Sequence, residues 1–402
     1  MRGLPGADIV IAMNISPEVR SNLKELVALR RAIHQYPEPG FKEFRTSALI
    51  RSKLRSWGVD HKAMCGTGVV GLIKGSKPGP TMLIRADMDA LPLTELNKVP
   101  YCSRNKGVMH ACGHDGHVAM ALLAAKLLQK RRTSFRGNVK FMFQPAEEGP
   151  GGAGPMMDEG LLKGPKVDAA FAIHMWNDLP TGRMGVRSGP VFASADEFTI
   201  KVIGRGGHGA APHQTVDPVA AAAQVVTACQ NIVSRKVDPT KSAVVTFGQI
   251  HGGTRHNIIP DVVEMTGTVR AFEEPVRKLL QREIPKVAGG VASALGARME
   301  FGYHRGYPPT VNEESMTDLV RDSVREAAGT AAAVEQDVSM GAEDMALVLQ
   351  EVPGCYFFLG SMNARKGLIH PHHSAQFNFD EDALALGVET WLRLAQRFLN
   401  VA

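Results

Sequence analysis

The 402-residue chain has 44% hydrophobic and 21% charged residues, which is typical of globular proteins and long enough for two domains. Its five cysteines are an odd number at scattered positions, which excludes a disulfide scaffold and favours a reducing, cytoplasmic location. No run reaches the roughly 18 apolar residues of a membrane helix. The apolar stretch at 7–13 is short and includes Asp8, so we expect neither a signal peptide nor a membrane partner.

The net charge of +6 does not indicate a nucleic-acid partner, because the basic residues are scattered. The densest cluster, 130–132, follows an apolar run, where bases at a helix end complement the helix dipole. Only 6% of residues are aromatic, too few for a base-stacking surface. The charge therefore supports only a modest attraction for small anionic substrates.

Helical and strand patterns alternate in the first half of the chain. Helices are predicted at 22–34, 46–57 and 118–130, and strands at 69–73, 81–86, 139–143 and 167–173. This alternation is typical of an α/β sheet that helices cover on both faces.

The pattern changes near residue 192. Strands are predicted at 197–203, 243–250, 262–272 and 298–304, and helices at 217–235 and 274–295. That order is the split βαβ pattern of a ferredoxin-like domain. A helix at 315–328, a strand at 355–359 and a helix from 381 follow. We predict a two-domain α/β protein, with a discontinuous mixed-sheet catalytic domain at 1–191 and 307–402 and an inserted α+β lid at 192–306.

The densest chemical signal is the segment 110–117, HACGHDGH, which directly precedes a predicted helix. Thiolate and imidazole are ligands of first-row metals, and the glycines allow the backbone to bring them close. A polar helix N-terminus would explain Asp115 but not the other residues. The segment therefore predicts a metal site that uses Cys112 and His114.

Further candidate ligands follow predicted strands. Glu147 and Glu148 are adjacent carboxylates after the strand at 139–143, and such a pair repels unless a cation or a shared proton offsets its charge. A solvated acidic turn would explain the pair by itself equally well. Asp87 and His174 also follow apolar runs, and ligands bind at the carboxyl ends of strands in open α/β sheets. The segment 370–373, HPHH, is either a surface cluster of histidines or the source of a late histidine ligand.

The number of candidate ligands suggests two ions. Catalytic zinc sites typically use three protein ligands. Five of the candidates give three ligands to each of two ions if one of them bridges: Cys112, His114, Glu148, His174 and a late histidine. A water between two such ions is ionised near neutral pH, and Glu147 would take its proton and pass it to the leaving amine. This chemistry is metal-assisted hydrolysis.

Nearly the whole chain resembles the dinuclear metal amidohydrolases and metallopeptidases related to aminoacylase and glutamate-releasing carboxypeptidase. More narrowly, it is similar to the branch of hippurate hydrolases, indole-acetyl-amino-acid hydrolases and N-acyl-amino-acid amidohydrolases. The matching segments are RRAIHQYPEPGFKE (30–43), IRADMDALPLTE (84–95), MHACGHDGHVAM (109–120), FQPAEEG (143–149), AIHMW (172–176), GRGGHGAAPHQTVDP (204–218), HNIIPD (256–261), GTVRAF (267–272) and GAEDM (341–345).

The resemblance implies a role for each candidate. The implied metal ligands are Cys112 as the bridge, His114 and His174 on one ion, and Glu148 and His373 on the other. His373 matches best among the late histidines because Phe377, Asn378 and Phe379 follow it, although His370 and His372 remain alternatives. Glu147 corresponds to the catalytic base, and Asp87 to a carboxylate that orients a ligand. Arg85 stands where most of the wider family has a histidine ligand.

The resemblance also implies functions for the lid. His208 matches a histidine that, in dimeric relatives, reaches the partner's active site and polarises the scissile carbonyl, although a glycine-rich turn with an exposed histidine explains its segment equally well. Asn257 and Arg270 match positions that hold the substrate carboxylate, and Gly341 matches a position that shapes the pocket. A homodimer through the lid is expected.

We expect hydrolysis of an N-acyl amino acid, hippurate-like or N-acetylated, to a carboxylate and the free amino acid. The cofactors would be two divalent ions, zinc or manganese, with cobalt or nickel as further options. A dipeptidase or an N-acyl-diaminopimelate deacetylase is the alternative within this class. Two other classes are alternatives: a thiol hydrolase with Cys112 as nucleophile and His110 or His114 as base, and a non-enzymatic metal- or nucleic-acid-binding protein.

Overall fold

The structure is a computed structural model that describes residues 13–400. The apolar stretch at 7–13 therefore lies almost wholly outside the described residues. The chain divides into two compact units: one comprises the chain up to residue 189 with 311–337 and 347–402, and the other comprises 190–310 with 338–346. The sequence prediction assigned all of 307–402 to the catalytic domain, whereas 307–310 and 338–346 group with the second unit.

Ten α-helices and sixteen strands are present within residues 13–400. The helices are α1 Pro17–Ser21, α2 Leu23–His34, α3 Phe44–Ser56, α4 His114–Lys130, α5 Ala153–Asp158, α6 Pro218–Lys236, α7 Glu274–Ala294, α8 Glu314–Ala328, α9 Met345–Glu351 and α10 Ala383–Asn400. The strands are β1 Asp60–Met64, β2 Gly68–Lys74, β3 Thr81–Asp87, β4 Asn138–Gln144, β5 Ala169–Pro180, β6 Met184–Val186, β7 Gly189–Phe192, β8 Asp196–Ile203, β9 Gly207–His208, β10 Ala243–Gly252, β11 Ile258–Ile259, β12 Val262–Ala271, β13 Arg298–Arg305, β14 Thr310–Asn312, β15 Ala333–Glu335 and β16 Gly354–Met362.

A mixed sheet forms the centre of the first unit. Within the described residues it has eight strands in the order β1-β2-β4-β3-β5-β16-β6-β15, and β4, β3, β5 and β16 are mutually parallel. Parallel strands are covered on both faces, which explains why these strands are continuous apolar runs rather than alternating ones. All seven residues of β3 are buried, and α4 is apolar around most of its circumference because it packs inside the unit.

The register of the central strands brings their carboxyl ends to one edge of the sheet. Asp87 at the end of β3 pairs with Gln144 at the end of β4, and β3 pairs with β5 only as far as Ala172. The strand predicted at 167–173 is longer than expected, so His174 lies within β5 and not at its end. The reason is that β5 continues beyond β3 along β16, where Phe358 pairs with His174.

The turn into α4 requires glycine. Gly113 has a φ of 91°, which is in the left-handed region, and an added β-carbon would lie 3.0 Å from the Met175 β-carbon. The chain therefore passes close to β5 at this point and begins α4 at His114. This approach places the HACGHDGH segment against the edge of the sheet described above.

The second unit has a four-stranded antiparallel sheet in the order β10-β12-β8-β13 within the described residues. The helices α6 and α7 pack on it through a separate apolar core. The chain order β8-α6-β10-β12-α7-β13 is the ferredoxin-like arrangement. The predicted fold class, a two-domain α/β protein with a mixed sheet and a ferredoxin-like second domain, is confirmed.

No helix in residues 13–400 combines the length and the apolar character needed to cross a membrane.

A buried ion pair joins the elements of the second unit. The Asp196 carboxylate accepts hydrogen bonds from Arg277 Nε at 2.8 Å and Nη2 at 2.5 Å, from Tyr303 Oη at 2.7 Å and from Gly306 N at 3.1 Å. Asp196 is fully buried and Arg277 is 4% exposed. Burial raises the pKa of Asp196, but its bonds to Arg277 and Tyr303 outweigh burial and lower the pKa overall, so this stabilisation is lost as the pH falls below the ordinary carboxyl range.

We expect the change Asp196→Ala to destabilise the second unit by about 3–5 kcal/mol, because it leaves the Arg277 guanidinium buried without its main counter-charge. Tyr303→Phe removes one of the four donors and should cost only about 1 kcal/mol. Urea unfolding followed by far-ultraviolet circular dichroism measures both effects. All three tryptophans (Trp57, Trp176 and Trp391) belong to the first unit, so their fluorescence provides an internal control. Equal stability of the two variants would contradict the prediction.

Candidate metal centre

The HACGHDGH segment presents Cys112 and His114 at the edge of the sheet, and both are buried. His114 Nδ1 donates a hydrogen bond to the Asp89 carbonyl oxygen at 3.0 Å. Its Nε2 atom is buried and has no hydrogen-bond partner in the part of the chain that the structure describes. In many metal sites, a histidine that binds the metal through Nε2 donates its Nδ1–H to a carbonyl oxygen in this way.

The two glutamates follow β4 through a sharp turn. Ala146 has a φ of 54°, which is unusual for a residue with a side chain, and its N–H donates to the buried Glu43 carboxylate at 2.9 Å. The Glu148 N–H donates to Asp89 Oδ2 at 3.0 Å. These contacts fix the turn, and they bring ligand atoms of Glu147, Glu148 and His114 to within 4.8 Å of one another.

His174 faces Cys112 from β5. Its Nδ1 donates to the Met175 carbonyl oxygen at 2.5 Å, and its Nε2 lies 3.5 Å from Cys112 Sγ. Burial lowers the pKa of His174 well below its usual value, and the nearby histidines lower it further. The imidazole is therefore neutral at physiological pH, which is the form that binds a metal.

The structure separates the three late histidines. His373 Nε2 lies 3.1 Å from Glu148 Oε1, and the His373 N–H donates to the Ala111 carbonyl oxygen at 2.9 Å. His372 Nε2 instead donates to the Met175 carbonyl oxygen at 2.9 Å, and the carbonyl oxygen of His370 accepts from the Asn177 side chain. Of the three, His373 is the one whose ring lies next to Glu148.

The five predicted ligands form two groups of three that share Cys112. Ligand atoms within each group lie within 4.8 Å of one another: one group is Cys112, His114 and His174, and the other is Cys112, Glu148 and His373. Thiol, imidazole and carboxylate are the donors that zinc, manganese and related ions accept. The buried, unpartnered His114 Nε2 also fits a cation at this position, because a buried polar atom left unpaired is costly.

The charge of the site also fits a cation. Burial raises the pKa of the Cys112 thiol well above its usual value, and Glu148, Glu147 and Asp87 raise it further. A thiolate among carboxylates is unfavourable unless positive charge is present, and a coordinated metal deprotonates a thiol. The same environment disfavours a free thiolate nucleophile. Neither ring nitrogen of His110 has a hydrogen-bond partner within residues 13–400, so His110 is not paired with the thiol as a base would be.

Asp87 lies beside His114 and is paired with Arg85. Arg85 Nη1 donates to Asp87 Oδ2 at 2.6 Å, and the same oxygen is 3.6 Å from His114 Nε2. Burial raises the pKa of Asp87, but Arg85, His114 and His117 outweigh this and lower it well below the usual range. Arg85 therefore stabilises the ionised form of Asp87 and is not placed here as a metal ligand.

The remaining predicted residues belong to the second unit. The antiparallel pair β9 and β11 places His208 opposite Ile258, and the Gly209 N–H donates to the Asn257 carbonyl oxygen at 2.9 Å, so His208 and Asn257 are held side by side. His208 Nδ1 accepts from the Ala210 N–H at 3.0 Å, which leaves Nε2–H as its donor.

Arg270 and Gly341 have their own contacts in the second unit. Arg270 lies on β12, where its Nη1 donates to the carbonyl oxygen of Val269 at 3.1 Å. The Gly341 N–H donates to Ser339 Oγ at 3.1 Å. Gly341 also packs close to Phe192, whose nearest ring carbon would lie 3.4 Å from an added β-carbon.

Sequence reasoning missed three residues that support the site. Asp89 holds both His114 and Glu148, Glu43 holds the turn before Glu147, and Asn177 donates to the carbonyl oxygens of His370 and Asn378 at 2.9 Å each. Asp89 and Glu43 lie in segments that match the family pattern, and this match could have identified them as candidate site residues. Asn177 lies outside these segments, and nothing in the sequence indicates its role.

Comparisons with known proteins identify the family. The family model for peptidase family M20/M25/M40 matches residues 83–397. Thermostable carboxypeptidase 1 of Saccharolobus solfataricus is 42% identical over 397 residues, covering 96% of this chain and 100% of that protein. An N-acyl-L-amino acid amidohydrolase of Geobacillus stearothermophilus is 44% identical over 290 residues, covering 72% and 78%. The crystal structure of a Bacillus subtilis protein described as a dinuclear metal binding peptidase has a TM-score of 0.84 at 34% identity, covering 95% and 100%. The predicted resemblance is confirmed, and the chain belongs to peptidase family M20/M25/M40.

Proposed function

We propose that the protein hydrolyses the amide bond of an N-acyl amino acid, releasing a carboxylate and the free amino acid. The observation that supports this most directly is the pair of three-donor groups sharing Cys112, with Glu147 beside both His114 and Glu148. Membership of a peptidase family and the similarity to an N-acyl-L-amino acid amidohydrolase support hydrolysis of an amide bond. The proposed ligands are Cys112, His114 and His174 for one cation, and Cys112, Glu148 and His373 for the other.

The reaction divides between the cations and the side chains. Two divalent cations, when bound, supply the positive charge that lowers the pKa of water and polarises the amide carbonyl. Glu147 takes the proton of the attacking water and gives it to the leaving amine, so one carboxylate acts first as base and then as acid. The Asp89 carbonyl oxygen holds the imidazole of His114 in place, and the Asp87 carboxylate lies beside the same ring.

The second unit supplies the substrate contacts in this proposal. His208, donating through Nε2, would stabilise the developing oxyanion from a second copy of the chain, in a homodimer formed through the ferredoxin-like unit. Arg270 and Asn257 would hold the substrate carboxylate, for which the planar guanidinium is well suited. Gly341 would leave space for the substrate.

Substrate and metal are narrower proposals. We propose hippurate-like or N-acetylated amino acids as substrates, with dipeptides or N-acyl-diaminopimelate as the alternative within the class. Zinc or manganese are the proposed ions, and the proposed location is the cytoplasm, because five unpaired cysteines suit a reducing compartment.

The test is metal-dependent release of a free amino acid. Purified protein is stripped with a chelator and assayed with hippurate, N-acetyl amino acids, dipeptides and N-acyl-diaminopimelate, before and after addition of zinc, manganese, cobalt or nickel. We expect no turnover in the stripped protein and restored turnover with two bound ions. Undiminished activity in the stripped protein, or failure to bind two ions, would reject the proposal.

We expect the change His208→Ala to lower kcat by about 10²–10³-fold with little change in bound metal, because it removes one donor to the oxyanion. His208→Gln should recover part of the rate, since its amide N–H can replace the imidazole donor. Steady-state kinetics and metal analysis measure both effects. The exposed His213, five residues away, provides the matched control, and His213→Ala should keep the wild-type rate. Equal rates for the two alanine variants would contradict the role of His208.

A further inference from the structure

His117, which belongs to neither group of proposed ligands, has both ring nitrogens engaged in the interior of the first unit. It is 2% exposed, and its Nε2 lies 2.8 Å from the backbone nitrogen of Met175. A backbone N–H can only donate, so Nε2 is the acceptor and the ring proton is on Nδ1. Nδ1 lies 2.5 Å from Asp87 Oδ1 and donates to it. The contacts therefore determine the tautomer of His117.

The Met175 peptide groups connect His117 to a proposed ligand. β5 pairs with β3 only as far as Ala172, and beyond that point side chains bond the backbone of Met175. His117 accepts from its N–H, while its carbonyl oxygen accepts from His174 Nδ1 at 2.5 Å and from His372 Nε2 at 2.9 Å. The carbonyl that fixes the ring of His174 thus belongs to a residue that His117 holds.

Asp87 connects His117 to a second proposed ligand. One carboxylate oxygen accepts from His117, and the other accepts from Arg85 Nη1 at 2.6 Å and lies 3.6 Å from His114 Nε2. A carboxylate held at both oxygens cannot rotate. His117 therefore holds the Met175 peptide that fixes the ring of His174, and it also holds the Asp87 carboxylate, whose negative charge lies beside His114 Nε2.

His117 could instead be a metal ligand, because Asp87, His114 and His117 also offer atoms within 4.8 Å of one another. The hydrogen bonds oppose this role. The Nε2 lone pair is occupied by the Met175 N–H, and Nδ1 carries the proton donated to Asp87. Metal binding at Nε2 would leave a buried backbone N–H unpaired, which costs about 1–3 kcal/mol.

We propose that His117 is a positioning residue whose neutral imidazole links the Met175 backbone and the Asp87 carboxylate, and so orients His174 and fixes a negative charge beside the cation that His174 and His114 would hold. This inference rests on the two-cation site of the proposed function. Partners of this kind typically contribute 10–100-fold to metal affinity. The effect should be confined to the cation held by His114 and His174.

The test is titration of metal-free protein with zinc in the presence of a competing chelator, which needs no turnover. His117→Asn places an amide N–H near the position of Nδ1, keeps the bond to Asp87 and loses the bond to Met175. His117→Gln reaches the position of Nε2, keeps an acceptor for Met175 and loses the bond to Asp87. We expect each variant to bind one cation about 10–100-fold more weakly and the other within about threefold of wild type.

Lys140→Met is the control for a general loss of stability. Lys140 is buried in the same unit, and its ammonium donates to the carbonyl oxygens of Leu161, Lys163 and Pro165 at 2.8–2.9 Å, away from every proposed ligand. This variant should lower the thermal midpoint of the metal-free protein while keeping both affinities. The positioning role would be overturned if both His117 variants bound both cations with wild-type affinity, or if the affinities for the two cations fell equally. Wild-type protein that binds fewer than two ions would instead refute the proposed function.

Discussion

Replacing Glu147 by glutamine is expected to lower kcat by about 10²–10⁴-fold while two cations remain bound. Glutamine has the shape of glutamate but cannot take the proton of the attacking water, and no proposed ligand changes. Glu147 is 9% exposed, lies beside His114 and Glu148 and is not one of the proposed ligands, which suits the role of base. Steady-state kinetics together with metal analysis separates loss of the base from loss of the ions.

Glu351→Gln provides the matched control, because it makes the same chemical change at an exposed position at the end of α9. It should keep the wild-type rate. If Glu147→Gln lost activity only in proportion to lost metal, the residue would be a structural part of the site and not the base. A rate for Glu147→Gln within about threefold of wild type would remove the proposed mechanism altogether.

Replacing Cys112 by alanine is expected to reduce the bound metal from two ions to one or none and to lower activity by about 10³-fold or more. Cys112 is the donor common to both groups, so its loss leaves each group with two protein ligands, below the three of typical catalytic sites. The charge stabilisation that a cation supplies is several kcal/mol, and three powers of ten correspond to about 4 kcal/mol. Metal analysis after dialysis and steady-state kinetics measure the two losses.

Two further variants distinguish a ligand from a nucleophile. Cys112→Asp keeps an anionic ligand but no thiol, so it should recover metal binding and part of the activity if the thiolate is a ligand. A thiol hydrolase would stay inactive with aspartate. Cys355→Ala is the control for removal of a buried thiol from the same unit, and it should keep both ions. Full metal content in Cys112→Ala would contradict the shared-ligand assignment.

The elements that the sequence predicted well are those with long, regular patterns. The helix predicted at 217–235 is α6, Pro218–Lys236, and the strand predicted at 139–143 is β4, Asn138–Gln144. The strands β6 and β15 have three residues each, which is too short for any periodicity, and tertiary packing alone defines them. The sequence pattern predicts too short a β5 because the second half of this strand is stabilised by β16, whose paired residues lie more than 180 positions later in the chain.

The candidate site was predictable where chemistry is concentrated in one segment, as in HACGHDGH and the glutamate pair. The supporting residues were harder to predict because their function depends on contacts between distant segments. Asn177 is an ordinary polar residue in the sequence, yet its amide holds the two ends of the loop that presents His373. A single sequence carries no signal for such a pairing, since hydrogen-bond partners are set by the completed fold.

The place of β16 in the sheet has a consequence for biosynthesis. This strand lies between β5 and β6, although it is formed from residues 354–362, close to the end of the chain. By then the four strands and two helices of the ferredoxin-like unit have all left the ribosome. The second unit can therefore complete its core while the larger sheet still lacks a central strand. Until β16 is inserted, β5 offers a long apolar edge to other chains, as would any fragment truncated before residue 354. Such fragments should aggregate through the first unit while the second remains folded, and the nascent protein should depend on chaperones in the final stage of its synthesis.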